Sequence, residues 1–396
     1  MFLRLPLNST KYLLSPYLRL CMATPSSAAS AFCHRNAVMT RNGEMAASEM
    51  PMSPLLKLAH KFNCFYFSGL HQGNCRPFIV EGHQVGLVRP DVLAHLISCY
   101  PDVFLVHADS VELNPAFRDH EERSAKVDAV LRECRSQNTF VTLKGWREEY
   151  YEVRHAFSAE PLLKMDRSAT CLFGIKKYGV DINGYVNHPE KGLCIWLQRR
   201  SSTKQTWPGK LDNMVGGGLS VGYGILETAI KEAAEEASIP SELIQKLKPA
   251  GAVSFFFESE QGLFPNTEFV YDLELPLDFV PNNSDGEVES FELLSAKETL
   301  ERIFSTDFKT TSCPVVVDFL IRHGLVTPEN EPNYPQLIEL LHVPLQTLYQ
   351  WGSRRNQKNG GSQNGGSSSS IPLTSSSAND ASLRHHQNHS GDSGSI

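Results

Sequence analysis

Three glutamates, Glu232, Glu235 and Glu236, stand at i, i+3 and i+4 in the stretch Lys231-Glu232-Ala233-Ala234-Glu235-Glu236-Ala237-Ser238-Ile239. On a helix that spacing puts all three carboxylates on one face. Crowded carboxylates repel one another unless a cation neutralises them. An all-oxygen set suits Mg2+ or Mn2+, ions that also hold the phosphates of a substrate. Just upstream, Gly216-Gly217-Gly218 end an apolar segment, and glycine lets a backbone turn sharply and approach a ligand closely. Together these residues predict a metal-dependent site for a phosphate-containing molecule.

A solvated acidic face is the competing explanation for an isolated Lys-Glu-x-x-Glu-Glu. The flanking residues weigh against it. Residues 211–215 read as a short strand that the glycines break, and Ile225, Leu226, Ala229, Ile230, Ala233, Ala234 and Ala237 recur at helical spacing. A strand–loop–helix unit would then carry the acids. Two blocks must position it. The first, 53–170, reads as helices at 54–62, 91–99 and 117–134, a strand pair at 77–88 around Glu81-Gly82, and strands at 103–106 and 150–153. His83, His95 and His107 fall in separate elements there and read as structural. The second, 173–345, reads as strands at 178–186, 193–197, 250–257, 268–275 and 290–294, with a terminal helix at 313–323. Its pattern indicates a mixed α/β or α+β sandwich. Between two of its strands, Arg199 and Arg200 open a basic loop that includes Lys204 and Lys210, charges that would steer an anionic substrate or simply face solvent.

Composition narrows the rest. The chain has 396 residues, and its formal net charge of −7 leaves no basic excess for a nucleic-acid polymer. No apolar run is long enough to span a bilayer. The nine cysteines are odd in number and scattered, so free thiols are expected rather than a disulfide framework or a zinc clamp. The first 43 residues lack Asp and Glu but carry Arg4, Lys11, Arg19, Arg35 and Arg41. Such a leader (1–50) reads as a transit peptide, mitochondrial or, in a plant, plastid; a leader without an address, in a cytoplasmic protein, is the alternative. The tail, 352–396, is rich in Gly, Ser, Asn and Gln and is expected to be disordered.

From Gly217 to Ile239 the chain resembles the Nudix box, Gly-x5-Glu-x7-Arg-Glu-U-x-Glu-Glu-x-Gly-U with U aliphatic. In that register Gly217 is the box glycine, Lys231 takes the arginine position, and Glu232, Glu235 and Glu236 are the helix glutamates. The departures are Tyr223 for the first glutamate, Lys231 for arginine, a small Ala233, and Ser238 for glycine. Arginine and the first glutamate brace each other in the general box, so losing both leaves no uncompensated charge. Further stretches, Gln198-Arg199-Arg200, Lys204-Gln205-Thr206-Trp207-Pro208-Gly209-Lys210, Asp285-Gly286-Glu287-Val288-Glu289 and Asp318-Phe319-Leu320-Ile321-Arg322, are similar to plant, fungal and animal Nudix proteins once labelled thiamine pyrophosphokinase-related. Members of that group share the missing first glutamate.

The resemblance covers roughly residues 53–344 and implies a Nudix α/β/α sandwich with a smaller N-terminal α+β domain. It implies a pyrophosphohydrolase that turns a diphosphate into a monophosphate and orthophosphate. Glu232 and Glu236 would be the main Mg2+ or Mn2+ ligands, with Glu235 a third ligand or the base, and Gly217 and Gly218 would form the loop. Arg199, Arg200, Lys204 and Lys231 would bind substrate, Lys231 equally well being a loop brace or a surface charge. Glu287 and Glu289 could add a base or ligand, or be exposed strand charges. The implied substrates are small-molecule diphosphates, either damaged (oxo or oxy) thiamine diphosphates or an oxidised nucleotide such as 8-oxo-dGDP. A Nudix-fold binding module without turnover remains open. A thiamine pyrophosphokinase-like transferase is disfavoured, because the chain has no Gly-x-x-x-x-Gly-Lys-Ser/Thr loop to hold ATP.

Overall fold

Ser53 starts the first helix by a side-chain cap, its hydroxyl accepting from the Leu56 N–H (3.0 Å) with Pro54 next in line. The computed structural model describes residues 51–68, 74–283 and 286–349; the expected leader and tail lie outside the described residues. Helices α1 (Pro54–Phe62) and α2 (Cys64–Ser68) lead into strands β1 (Arg76–Val80) and β2 (His83–Val88), joined at Glu81-Gly82 with φ of 50° and 74°, the left-handed pair a tight hairpin turn requires. Helix α3 (Pro90–Cys99), strands β3 (Phe104–Val106) and β4 (Val111–Leu113), and helix α4 (His120–Ser136) follow. The four strands run in the order β2-β1-β4-β3. Their core is Phe78, Val85, Phe104, Val127 and Leu131, packed on Phe173. A two-stranded ribbon, β5 (Tyr150–Val153) with β6 (Leu163–Asp166), closes the block. Strands β4 and β6 are additions to the elements expected in this block.

The second block is built on β7 (Lys177–His188), buried from Gly179 to Val186 because both sheet faces are covered. After β7 come β8 (Gly192–Arg200), β9 (Leu211–Asn213), β10 (Val215–Gly218), helices α5 (Ile225–Ala237) and α6 (Ser241–Ile244), then β11 (Lys248–Ser259), β12 (Gly262–Glu274) and β13 (Val288–Ser295). The order is β11-β12-β7-β8-β13, with β10 on β7 and β9 on β8. Strand β7 changes partner part-way, pairing antiparallel with β10 over Gly179–Ile182 and with β8 from Tyr185 onward. Helix α5 packs on one face through Ala229, Ala233 and Ala237 against Val180, Ile182 and Val215. The other face carries α7 (Ala296–Arg302), α8 (Cys313–Arg322), α9 (Tyr334–Leu340) and α10 (Leu345–Leu348). Among the described residues no helix is long and apolar enough to cross a membrane, and the described cysteines are free thiols.

Three sequence expectations change. The three glycines do not break the strand: Gly216, Gly217 and Gly218 are its last residues, paired with Asp181, Val180 and Gly179. The helix expected to be terminal, α8, is followed by α9, whose Leu337 and Leu340 return to the same core. Helix α1 packs its Leu55, Ala59 and Phe62 with Val316, Phe319 and Leu337 of the second block, since its apolar stripe finds the larger uncovered face there.

Candidate active site

The reason for three successive glycines in β10 is room for side chains. A methyl group on Gly217 would lie 2.2 Å from Glu232 Cγ, one on Gly216 would lie 2.7 Å from Asp181 Oδ1, and one on Gly218 would overlap the Tyr151 hydroxyl. None of the three has a positive φ, so backbone freedom is not their purpose. With no side chain between them, carboxylates from the α5 side and from the β7–β12 side reach a common cavity of about 560 Å³. Glu232, Glu236, Asp181 and Glu268 all line it. Glu268 enters from β12, which pairs in parallel with β7 and sets Glu268 opposite Gly179.

Glu236 is 3% exposed, and its Oε2 accepts from the Gly216 N–H (2.9 Å) and Gln198 Nε2 (3.2 Å). Burial pushes its carboxyl up to about 7, against the pull of the Gly216 N–H. Burial also raises Glu232, against the opposing charge of Lys231. Asp181 is raised by burial and by its like-charged neighbour Glu268, and Glu268 is raised by burial against the Asn266 hydrogen bond. The neighbouring Asp212 goes the other way. Burial alone would raise it, but Lys309 and Arg200 hold it well below the usual carboxylate range.

Helix α5 ends on Ser238 at φ 50°, the left-handed position that glycine normally fills after a helix. At its start, the Glu227 carboxylate accepts the Gly224 N–H (2.9 Å). Tyr223 is 48% exposed and lies outside the main cavity.

The structure gathers only part of the expected set. Glu235 lies outside the cavity lining, its side chain 47% exposed and held by Lys231 Nζ at 2.7 Å. Lys231 also reaches Glu232 (3.2 Å) and likewise does not line the cavity. Arg199 is on the far side of β8, paired with Glu292 (2.8 Å) and Asp307 (3.1 Å). Successive strand residues face opposite ways, so Arg199 and Arg200 separate. Arg200 lines the cavity but is committed to Asp212 (2.9 Å) and to the carbonyls of Thr206 and Trp207. Lys204 lines it too, paired with Glu287; Glu289 does not. Sequence reading missed Asp181 and Glu268, although Asp181, an acid between Val180 and Ile182 in a strand, was a signal. It also missed Lys309, which pairs with Asp212 at 2.8 Å, and named no site residue in the N-terminal block. That block brings Tyr151, Arg147 and Arg167 to the cavity wall.

Residues 177–312 match the NUDIX domain, and residues 54–177 match a family described as "Domain of unknown function (DUF4743)". Nudix hydrolase 24, chloroplastic, of Arabidopsis thaliana is 36% identical over 272 residues, covering 68% of this chain and 73% of its own length. The chain belongs to the Nudix family. Nudix hydrolase 20, chloroplastic, also of Arabidopsis, is 34% identical over 297 residues, covering 72% of this chain and 78% of its own. The uncharacterized Saccharomyces cerevisiae protein YJR142W is 38% identical over 287 residues, covering 68% and 83%. The protein is accordingly a hydrolase acting on pyrophosphate bonds, with the mixed α/β Nudix fold preceded by an N-terminal domain.

Nudix hydrolases generally work with divalent metal ions. Among the described residues no three His, Cys, Asp or Glu side chains form a ready-made metal cluster. The donor chemistry nonetheless fits a hard cation. Asp181, Glu236 and Glu268 have no ion-pair partner among the described residues, and Gly217 leaves a space that Glu232 fills.

Proposed function

We propose that this Nudix protein is a Mg2+- or Mn2+-dependent pyrophosphohydrolase that splits a small-molecule diphosphate into a monophosphate and orthophosphate. The observation that carries the reading is the set of carboxylates lining one cavity across the glycine strand, three of which, Asp181, Glu236 and Glu268, have no ion-pair partner among the described residues. Glu232 and Glu236 of α5 are the residues to hold the divalent ion. Bound there, such an ion would neutralise these acids, polarise a phosphoryl oxygen and lower the pKa of a coordinated water. Gly216 and Gln198 fix one oxygen of Glu236 by hydrogen bonds and leave Oε1 for a ligand. Asn266 donates to Oε1 of Glu268 (2.9 Å), while Oε2 lies over Gly179. Oε2 is the atom suited to accept a proton from attacking water. Glu235, tied to Lys231, supports the helix from outside the cavity.

The reading extends to a flat, heteroaromatic substrate. Trp207, Phe257 and Phe264 line one wall, with ring centroids 6.0 Å apart for Trp207–Phe257 and 6.2 Å for Phe257–Phe264, spacings suited to aromatic contact. Damaged thiamine diphosphates are the first candidates and 8-oxo-dGDP the second. The acid-free leader supports import into an organelle, mitochondrion or, in a plant, plastid, as the chloroplastic names of the Arabidopsis relatives also suggest. The test is orthophosphate release from thiamine diphosphate, its oxo and oxy analogues, ADP, ADP-ribose and 8-oxo-dGDP, with and without Mg2+ or Mn2+. Release without ATP that needs the metal and drops at least ~100-fold in Glu236→Gln supports the hydrolase. Binding without release from any of them would establish a binding module instead.

A further inference from the structure

Seven basic residues line the cavity, and four of them, Arg167, Arg200, Lys204 and Lys309, have an acidic partner. Arg167 pairs with Glu149 (2.9 Å), Arg200 with Asp212 (2.9 Å), and Lys204 with Glu287. Arg147, half-buried on the same wall, is the arginine without one among the described residues. Its guanidinium makes no hydrogen bond or ion pair among the described residues. A partly desolvated cation among like charges is unfavourable until an anion joins it. Burial, and then the repulsion of Arg167, depress the Arg147 pKa accordingly.

The backbone holds Arg147 in this position. The N–H groups of Arg147 and Glu148 both donate to Oδ2 of the buried Asp166 (3.4 and 3.1 Å). Glu148 adopts φ of 58°, a left-handed conformation uncommon outside glycine and often found at ligand sites. Its carboxylate is committed to Arg132 (2.7 Å), Tyr150 (2.7 Å) and Trp146 (2.9 Å), so the acid adjacent in sequence does not neutralise Arg147. The ribbon carrying these residues is seated on the glycine strand, with the Tyr151 hydroxyl against Gly218, Ser220 donating to Glu149 (2.7 Å), and the Val221 N–H donating to the Tyr150 carbonyl (2.9 Å). Lys177, its ammonium 4.3 Å from the Phe264 ring centroid and without a carboxylate partner among the described residues, lines the same wall.

We infer that Arg147 is a substrate anchor supplied by the N-terminal domain. Its guanidinium receives the phosphate of the diphosphate that is not held at the carboxylate wall, so substrate binding spans both domains. A planar guanidinium suits this task because it can meet two phosphate oxygens at once. The inference rests on the pyrophosphohydrolase reading for the identity of the anion.

The test uses the full chain and methylenediphosphonate, which carries the charges of a diphosphate on a P–C–P bond that water does not cleave. Its affinity is measured calorimetrically with Mg2+ present for wild type, Arg147→Gln and Arg147→Lys, beside the thermal midpoint of each. The expected result is a loss of about tenfold or more in affinity for Arg147→Gln, partly restored in Arg147→Lys. The midpoint of Arg147→Gln should stay level or rise by roughly 2 °C, because a repelled, unpartnered cation has gone. No binding by wild type, or equal affinity in Arg147→Gln, overturns the inference. So does weaker binding accompanied by a lower midpoint, the mark of a purely structural arginine. Arg147-dependent binding in a protein that hydrolyses no diphosphate would leave the anchor standing and sink the hydrolase reading alone.

Discussion

Gly217 and Glu232 compete for nearly the same volume. A methyl on Gly217 would sit 2.2 Å from Cγ and 2.4 Å from Cδ of Glu232, well inside van der Waals contact, and both belong to rigid elements. Gly217→Ala should therefore expel the glutamate from the cavity. The expected outcome is a loss of hydrolysis of about 100-fold or more, with a stability cost of roughly 1–3 kcal/mol. Steady-state turnover within a few-fold of wild type would show that Glu232 is not needed where it stands. The box glycine was legible from its spacing to the glutamates. Its physical reason was not, because a sequence shows that a side chain is missing and not what occupies the space.

Strand β9 is short, yet Asp212 on it ties three elements together. Its carboxylate binds Arg200 of β8 (2.9 Å), Lys309 (2.8 Å) and the Ser312 hydroxyl at the start of α8. The Arg200 guanidinium in turn clamps the 201–210 loop through the Thr206 and Trp207 carbonyls. Asp212→Ala would leave two cations packed together without their anion, which costs on the order of 3–5 kcal/mol. A fall in thermal midpoint on the order of 10 °C is expected by calorimetry; a change within a degree would mean that the cluster is solvated enough to do without its acid. Legibility at this scale was mixed. Helix α5 was visible from end to end, since the period of its apolar residues is a local signal. Asp181 looked like the polar half of an alternating strand, but both sheet faces are covered and it is buried.

Across the whole molecule, the crowded carboxylates make stability depend on pH and on cations. Glu236 has its pKa raised by burial from about 4.5 to about 7. Between those values the metal-free folded protein binds more protons than the unfolded chain, so its stability falls as pH rises through the window. The penalty is complete once pH has passed well above 7, on the order of 3 kcal/mol. Mg2+ or Mn2+ should raise the melting midpoint by several degrees at pH 8 and hardly at pH 5; equal shifts at both would place the cation elsewhere. By itself the sequence determined the acidic helix, its box register, the strands flanking it and the basic loop, because helical and strand periods act over neighbouring residues. Only the tertiary structure decided which charges face the cavity. Glu268 arrives through the parallel pairing of β12 with β7, and Arg147 arrives through the seating of Tyr151 on Gly218. Arg199, Lys231 and Glu235 are drawn into ion pairs outside the cavity. A charge's role depends on its burial and its partners, and those come from residues far along the chain.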